Sequence, residues 1–276
     1  MAYVGLRKPI IAQLKNDGSY DDPFAFGKAI ELQVTPNYAE GSLYADDGQA
    51  EYDKEFSYAE VTLNTSTIPI TAHEKMFGHK VTEKNVKFNG DDQNNDVGVG
   101  WISVEKVNGI RSFIGNFLNK VKFSEPSEDY ATRGESIEYK TPSITGRAST
   151  VDGGDWKETE TFATEAEAKN WVYEKFGKTM GTLSVQSAAG TETGKTKLTV
   201  TPNKGESSSY MYKTGVNVSL PGYNDVCNVN SGWTPWDGTA EIAAKTGDKI
   251  VVVEILTEDS TAIKAGEATV AAKEAE

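Results

Sequence analysis

The chain has 276 residues, of which 37% are hydrophobic and 10% aromatic, and its formal net charge is −13. The length allows one large domain or two ordinary ones, and the composition is too apolar for a disordered chain. The negative charge argues against a protein that grips duplex DNA, because it repels phosphates, although DNA could slide past such a surface. Cys227 is the only cysteine, which rules out an internal disulfide and indicates a buried thiol.

Neither a secretion signal nor a membrane span is visible in the sequence. Residues 1–14 lack a sustained apolar core, and no window approaches the roughly 20 apolar residues that a span requires. We therefore expect a protein that is made in the cytoplasm and does not insert into a membrane.

Alternating apolar and polar side chains predict β-strands through the first half of the chain. Residues 58–64 would place three apolar side chains on one face, namely Ala59, Val61 and Leu63. Residues 111–123 would likewise place four on a single face, namely Phe113, Phe117, Val121 and Phe123. The other predicted strands are 29–36, 99–107, 135–148 and 155–162.

Two helices are predicted between these strands. The first covers residues 67–78 and ends at Gly78. The second begins at Thr164, whose hydroxyl would form a capping box with Glu167, and ends at Gly177. One face of the second helix carries Ala168, Trp171, Val172, Lys175 and Phe176. Such a stripe predicts packing against a sheet.

The composition changes near residue 180, after which Thr, Ser, Gly, Ala and Lys dominate. Roughly six or seven short apolar runs at turn-like spacing predict an immunoglobulin-like sandwich there. We therefore expect two domains, 1–178 and 179–276.

The two histidines do not form a recognisable catalytic motif. His73 begins a stretch like the metalloprotease pattern, but the position four residues later is Phe77. On a continuous helix His73 and His79 would lie about 240° apart. We interpret them as structural residues at or near the surface.

Residues 90–98, GDDQNNDVG, have the alternating acidic spacing of a calcium loop at Asp92, Asn94 and Asp96. The sixth position is Val97 and the twelfth is Ser103, so a polar turn is the favoured interpretation. The sequence also lacks a nucleophile elbow, a P-loop and a dinucleotide fingerprint. We expect no enzyme activity, no cofactor and no metal, with the function located on surfaces.

Trp233 and Trp236 lie in SGWTPWDG, residues 231–238. They could stack against a sugar, which would suit a secreted or surface carbohydrate-binding adhesin. The favoured alternative is a tryptophan pair that packs over one end of the sandwich.

Segment 42–56, SLYADDGQAEYDKEF, is acidic and carries aromatic residues at intervals. It is predicted as a loop too long for a tight turn, which orders on a partner or folds back on its own domain. If the partner is a second copy, the segment is an assembly device. The candidate contact residues are Tyr44, Asp46, Asp47, Tyr52, Asp53, Lys54 and Phe56.

Over residues 3–177 the chain resembles the major tail proteins of long-tailed bacteriophages of Gram-positive bacteria. The resemblance is carried by the order of GLRKPIIAQL, FGKAIELQVTPNYAEGSLYADD, EYDKEFSYAEVTLNTSTIP, HEKMFGHKV, GWISVEKVNGIRSF and YKTPSITGRA. The remaining part is similar to the immunoglobulin-like decoration domains of such proteins.

The resemblance implies a tail-tube β-sandwich or incomplete barrel with a flanking helix, followed by an immunoglobulin-like sandwich. Six copies would form a ring, and stacked rings would form a hollow tube in the virion tail, with segment 42–56 reaching the next ring. Further partners would be the tape-measure, tail-terminator and tail-tip proteins. DNA would pass through the lumen without specific binding. A contractile-tail or secretion-system tube, which shares the fold, is a related alternative.

Overall fold

The structure of the chain, a computed structural model, describes residues 2–127, 132 and 141–275. It divides into two compact units, Met1–Gly177 and Lys178–Glu276. This division falls one residue before the predicted domain boundary at residue 178. The fold is mainly β, as predicted from the sequence.

Ten strands and two α-helices make up the described part of the first unit. The strands are β1 (Ala2–Gln13), β2 (Phe24–Ala25), β3 (Ala29–Ala45), β4 (Gly48–Thr65), β5 (Lys80–Thr82), β6 (Asn85–Lys87), β7 (Asp96–Val107), β8 (Ile110–Phe123), β9 (Ser143–Ser149) and β10 (Lys157–Phe162). The helices are α1 (Ile70–Lys75) and α2 (Glu165–Lys175). The first part of the predicted strand 135–148, up to residue 140, lies outside the described residues.

Eight of these strands form one sheet. Its order is β2-β1-β7-β8-β9-β4-β3, and β10 pairs with β8 next to β9. The Cα atoms of β1 and β3 come within 8 Å of each other, although these strands stand near opposite ends of the order. The sheet therefore curls into an incomplete barrel, the architecture expected for this region.

Alternate side chains of five strands point into the curl and form an apolar core. Its members include Ile11, Leu63, Trp101, Val121 and Ile144. Helix α1 is shorter than predicted, and the fully buried Met76 and Phe77 that follow it close the core. The predicted inward face of residues 58–64 is confirmed, because all three of its apolar side chains are buried here.

Helix α2 packs on the outer face of β7 and β8, as its apolar stripe predicted. The capping box is confirmed: the Thr164 hydroxyl accepts from the Glu167 N–H, and the Glu167 carboxylate accepts from the Thr164 N–H. Three glycines on the facing strands, Gly98, Gly100 and Gly115, leave the space that aromatic and branched side chains around α2 fill.

A β-bulge corrects the predicted facing of β8. Val97 of β7 pairs with Val121 of β8, and Val99 pairs with Leu118. Between these two pairs β7 advances by two residues and β8 by three, so β8 contains one extra residue. The extra residue reverses the alternation. Phe117 therefore faces Phe176 of the helix segment, with ring centroids 4.9 Å apart, whereas Val121 and Phe123 face the inner core. The prediction that all four apolar side chains of this strand share one face was wrong.

The second unit contains two sheets. Its strands are β11 (Gly181–Thr182), β12 (Ser184–Ala189), β13 (Lys195–Thr201), β14 (Ser208–Gly215), β15 (Thr234–Trp236), β16 (Ile242–Ala243), β17 (Lys249–Leu256) and β18 (Ala262–Thr269). One sheet has the order β11-β18-β17-β14-β15 and the other the order β12-β13-β16. This separation of strands is that of an immunoglobulin-like sandwich with an added edge strand.

Strand β17 is buried on both faces, which explains its continuous apolar run. Ile250 and Val252 join the core that holds residues of both sheets. Val251 and Val253 join a second core, in which Cys227 and Trp233 also lie. The predicted burial of the single thiol is confirmed.

Among the described residues, no helix has the length and apolar character needed to cross a membrane.

Candidate assembly surface

Strands β3 and β4 form one long hairpin, so the prediction of a loop at residues 42–56 was wrong. Their ladder runs from Ala29–Thr65 to Ala45–Gly48. Asp46 and Asp47 alone form the turn, and both have a positive φ, 50° and 60°. That is the geometry of a type I′ turn, which matches the twist of the flanking strands. The chain therefore remains in strands up to this two-residue turn.

The outer part of this hairpin, residues 38–55, is exposed at every position, and we call it the arm. Strand β9 pairs with β4 only over Ala59–Asn64. In the described part of the chain, no other strand pairs with either edge of the arm. Eight residues on each side at 3.3–3.4 Å per residue give the arm a length of about 25 Å.

Alternation and cross-strand register place one set of side chains on the same face of the arm. We call it the tyrosine face, and it comprises Tyr38, Glu40, Ser42, Tyr44, Gln49, Tyr52 and Lys54. Lys54 Nζ lies 2.8 Å from Glu40 Oε1 and 4.5 Å from the centre of the Tyr38 ring. The Lys54 ammonium, together with Tyr52, lowers the pKa of the Glu40 carboxyl. These contacts order the face without covering it.

The opposite face of the arm is acidic. Leu43 stands opposite Glu51 in the ladder, Gly41 opposite Asp53, and Ala39 opposite Glu55. We call Leu43, Glu51, Asp53 and Glu55 the acidic face. It presents three carboxylates around one exposed apolar side chain, and none of the three forms an ion pair with another described residue. The arm therefore has two chemically different faces.

Phe56 lies at the base of the arm and belongs to the folded domain. Its ring stacks on Trp156 at 4.7 Å and 13°, and Tyr38 meets it edge-on at 6.1 Å. It is therefore half-buried at the margin of the inner core. Phe56 was predicted as a subunit contact, and this stays a prediction; the structure shows that its ring packs on the base of the arm.

The remaining predicted contact residues are exposed but do not form one patch. Tyr44, Tyr52 and Lys54 lie on the tyrosine face, and Asp53 lies on the acidic face. Asp46 and Asp47 form the tip. The sequence-based selection missed Tyr38, Leu43, Glu51 and Glu55. Period-two spacing groups the side chains of each strand by face, but the cross-strand register, which shifts next to Leu43, is needed to join the two strands.

The tryptophan pair of the second unit does not form an exposed platform. Trp233 is 6% exposed and Trp236 7%, and they lie in different cores. The Trp236 indole N–H also donates to the Ala240 carbonyl at 2.8 Å. Neither indole can therefore form the exposed platform for which it was selected, and the two pack inside the second unit in different cores rather than as one pair.

The two histidines are closer together than a continuous helix would allow. Helix α1 ends at Lys75, and their ring centroids lie 5.7 Å apart. His79 is buried rather than near the surface, which corrects that prediction. Its Nδ1 lies 2.8 Å from Asp92 Oδ2, and its Nε2 lies 3.0 Å from Glu125 Oε1 without hydrogen-bond geometry.

The region predicted as a polar turn does use its side chains to bind backbone groups. Asp92 accepts from the Asn89 N–H at 2.9 Å, and Asn94 donates to the Phe123 carbonyl at 2.7 Å. Within the residues that the structure describes, no group of three His, Cys, Asp or Glu side chains could hold a metal ion.

Comparisons with known proteins give little further information. No protein-family profile matches the chain, and no curated protein matches it. Among solved structures it is similar to domains 7, 8 and 9 of the S-layer protein SbsC, with 13% sequence identity and a TM-score of 0.30. That alignment covers 93% of this chain and 69% of the other. A likeness at this level supports no inference about function.

Proposed function

We propose that the chain is a structural virion protein that assembles with copies of itself into the stacked rings of a bacteriophage tail tube. The observation that carries the proposal is the arm, a β-hairpin that is exposed on both faces and along both edges. Four of its large apolar or aromatic side chains are 45–70% exposed, namely Tyr38, Leu43, Tyr44 and Tyr52.

On physical grounds we expect an exposed hairpin of this kind to bind a partner. An isolated two-stranded hairpin is marginally stable in water, and unpaired strand edges readily pair with other chains. A folded subunit gains little by holding such a hairpin in solvent. A second protein surface would cover the aromatic side chains and complete the edges, as a subunit interface does.

The sequence resemblance supports an identical copy as that partner. By this resemblance the arm would correspond to the segment that reaches the neighbouring ring in major tail proteins. On this proposal six copies form each ring, and the tape-measure protein and DNA occupy the lumen. The net charge of −13 would let DNA pass with little adhesion. The immunoglobulin-like unit would be a decoration on the tube.

Electron microscopy of the purified chain at high concentration tests the proposal directly. Rings or tubes are expected for the unaltered chain. A shortened variant, in which Asn-Gly replaces residues 40–54, should fold but not assemble, since Ala39 and Glu55 are adjacent in the ladder and can flank a two-residue turn.

A matched pair of variants separates the effect of the arm from a general loss of apolar surface. Tyr44→Ser with Tyr52→Ser should weaken assembly. Ile110→Ser with Val216→Ser removes side chains that are also largely exposed, but outside the arm, and should not. A chain that stays monomeric at all concentrations, or a shortened variant that assembles normally, would contradict the proposal.

A further inference from the structure

A small basic hairpin forms a second unpartnered surface of the first unit. Strands β5 and β6 are joined by the two-residue turn Glu83-Lys84. Lys80 and Lys87 stand directly opposite each other in this ladder, and Lys80, Lys84 and Lys87 are all exposed. We call residues 80–88 the lysine hairpin.

The three lysines of this hairpin outnumber its single carboxylate, that of Glu83 in the turn. Like charges directly opposite in an antiparallel pair are destabilising. In the described part of the chain, no ion pair joins any of the three lysines to a carboxylate. An acidic partner would relieve this repulsion.

Phe88 adds an apolar contact point to the same surface. Its ring lies 4.3 Å from the ring of the buried His79, which holds it in place, yet 61% of the residue is exposed. The lysine hairpin thus carries three unpaired positive charges and one fixed, exposed apolar ring. The acidic face carries three unpaired negative charges and Leu43, which is 56% exposed.

From this complementarity we infer that the acidic face of the arm in one copy docks on the lysine hairpin of a second copy. The inference rests on the proposed function and names the surface that receives the arm. The two surfaces are different parts of one chain, so the contact is heterologous. Each subunit then offers both an arm and a receptor, and the contact can repeat from copy to copy along a stack.

A second basic region of the first unit fits the acidic face less well. A groove of about 890 Å³ on β4, β8 and β9 is lined by Lys120, Lys122 and Arg147. Asp96 already lies 3.2 Å and 3.6 Å from the two lysine Nζ atoms. Arg147 lies over the Tyr58 ring at 4.5 Å, with Glu60 opposite it in the ladder. Its charges are therefore largely compensated within the subunit.

Charge reversal tests the inference. One variant carries Lys80→Glu, Lys84→Glu and Lys87→Glu, and a second carries Glu51→Lys, Asp53→Lys and Glu55→Lys. Each should raise the concentration needed for assembly about tenfold. A third variant with all six changes restores opposite charges and should assemble like the unaltered chain.

The control makes the same change in net charge as the first variant but elsewhere, with Lys106→Glu, Lys197→Glu and Lys245→Glu. These lysines are also exposed, and this variant should keep the assembly of the unaltered chain. Normal assembly of the first two variants, or no recovery in the third, would overturn the inference.

Cross-linking gives a second, independent readout. A mixture of Asp53→Cys and Lys87→Cys chains should form a disulfide-linked dimer under mild oxidation, whereas Asp53→Cys with Lys106→Cys should not. Oligomers that form without this cross-link and tolerate charge reversal overturn only the inference. A chain that gives neither oligomers nor the cross-link overturns the proposed function as well.

Discussion

Gly100 of β7 and Val172 of α2 fit together so closely that a Cβ on the glycine would lie 2.4 Å from Val172 Cγ1. The same imaginary atom would lie 3.4 Å from Phe176 and 3.5 Å from Phe117. The helix can approach the sheet only because this strand position has no side chain. Here the absence of a methyl group sets the distance between two layers.

The first prediction concerns this contact. Gly100→Ala should destabilise the first unit by about 2 kcal/mol, because overpacking forces the helix or Val172 to move. Adding Val172→Ala should recover part of that loss, so that the double variant is more stable than the sum of the single changes implies. Gly41→Ala, where a Cβ would meet nothing within 4 Å, is the control. Urea denaturation of Gly100→Ala, Val172→Ala, the double variant and Gly41→Ala measures these differences in the free energy of unfolding.

A second prediction concerns Phe117 on the neighbouring strand. It is buried between Tyr20 and Phe176, with ring centroids 5.6 Å and 4.9 Å away. Phe117→Asp should cost more than about 4 kcal/mol, because an unpaired carboxylate would enter an apolar site. Ile110→Asp on the same strand should change little, since Ile110 is 74% exposed. An unchanged melting temperature of the Phe117 variant would contradict this account of the helix–sheet layer.

A third prediction follows from the separate cores of the two units. Fragments 1–177 and 178–276 should each fold alone, because each core cluster lies within one unit. Circular dichroism and cooperative thermal unfolding of each fragment test this. Fragment 1–177 should also keep the assembly behaviour of the whole chain, since it contains both the arm and the lysine hairpin. A fragment that unfolds without cooperativity would show that the units depend on each other.

The fourth prediction concerns Glu254, a nearly fully buried carboxylate of β17. Burial alone would raise its pKa. The Gly205 N–H at 2.8 Å, the Ser208 hydroxyl at 2.5 Å and the Lys264 ammonium at 2.9 Å together hold the pKa below its ordinary value of 4.5. A carboxyl whose pKa is lowered by folding stabilises the fold above its unfolded-state pKa, and the gain is lost as pH falls through the folded-state value.

The second unit should therefore lose stability below pH 4.5. Glu254→Gln should cost about 2 kcal/mol at neutral pH and flatten that acid dependence, because the amide cannot ionise. Chemical denaturation of fragment 178–276 between pH 3 and pH 7 provides the measurement. Glu258→Gln, at an exposed position, serves as the control and should leave the profile unchanged.

Local signals in the sequence were sufficient for α2. Thr164, Glu167 and Gly177 specify where this helix begins and ends through contacts within a few residues, and the structure shows these contacts. The continuous apolar run of β17 is also a signal that lies within a few residues of the sequence. Both signals are local in sequence and depend on no distant partner.

The candidate site was harder to predict, because its signals depend on pairing. Asp46 and Asp47 adopt positive φ values that aspartate tolerates but does not require. The acidic content of the segment therefore suggested a loop, although the strands continue to this turn. The position of His79 was predicted wrongly for a related reason. The angular argument assumed a continuous helix from His73 to His79, whereas α1 ends at Lys75. The residue types of the segment indicated a surface for assembly. Which side chains share a face of the arm can be seen only from the cross-strand register of β3 and β4.

The bulge in β8 has a consequence for how this protein can change over evolutionary time. Its single extra residue lets one continuous strand serve the helix layer with Phe117 and the inner core with Val121. Deleting one residue at positions 119–120 would remove the bulge and still leave Leu118 and Val121 opposite Val99 and Val97, whereas a one-residue deletion elsewhere in the strand would turn the side chains on one side of it to the other face. Substitutions can accumulate along this strand, but a change of one codon in its length outside the bulge inverts part of it. Descendant sequences should therefore vary in the residue types of β8 and keep the number of its residues, except at positions 119–120.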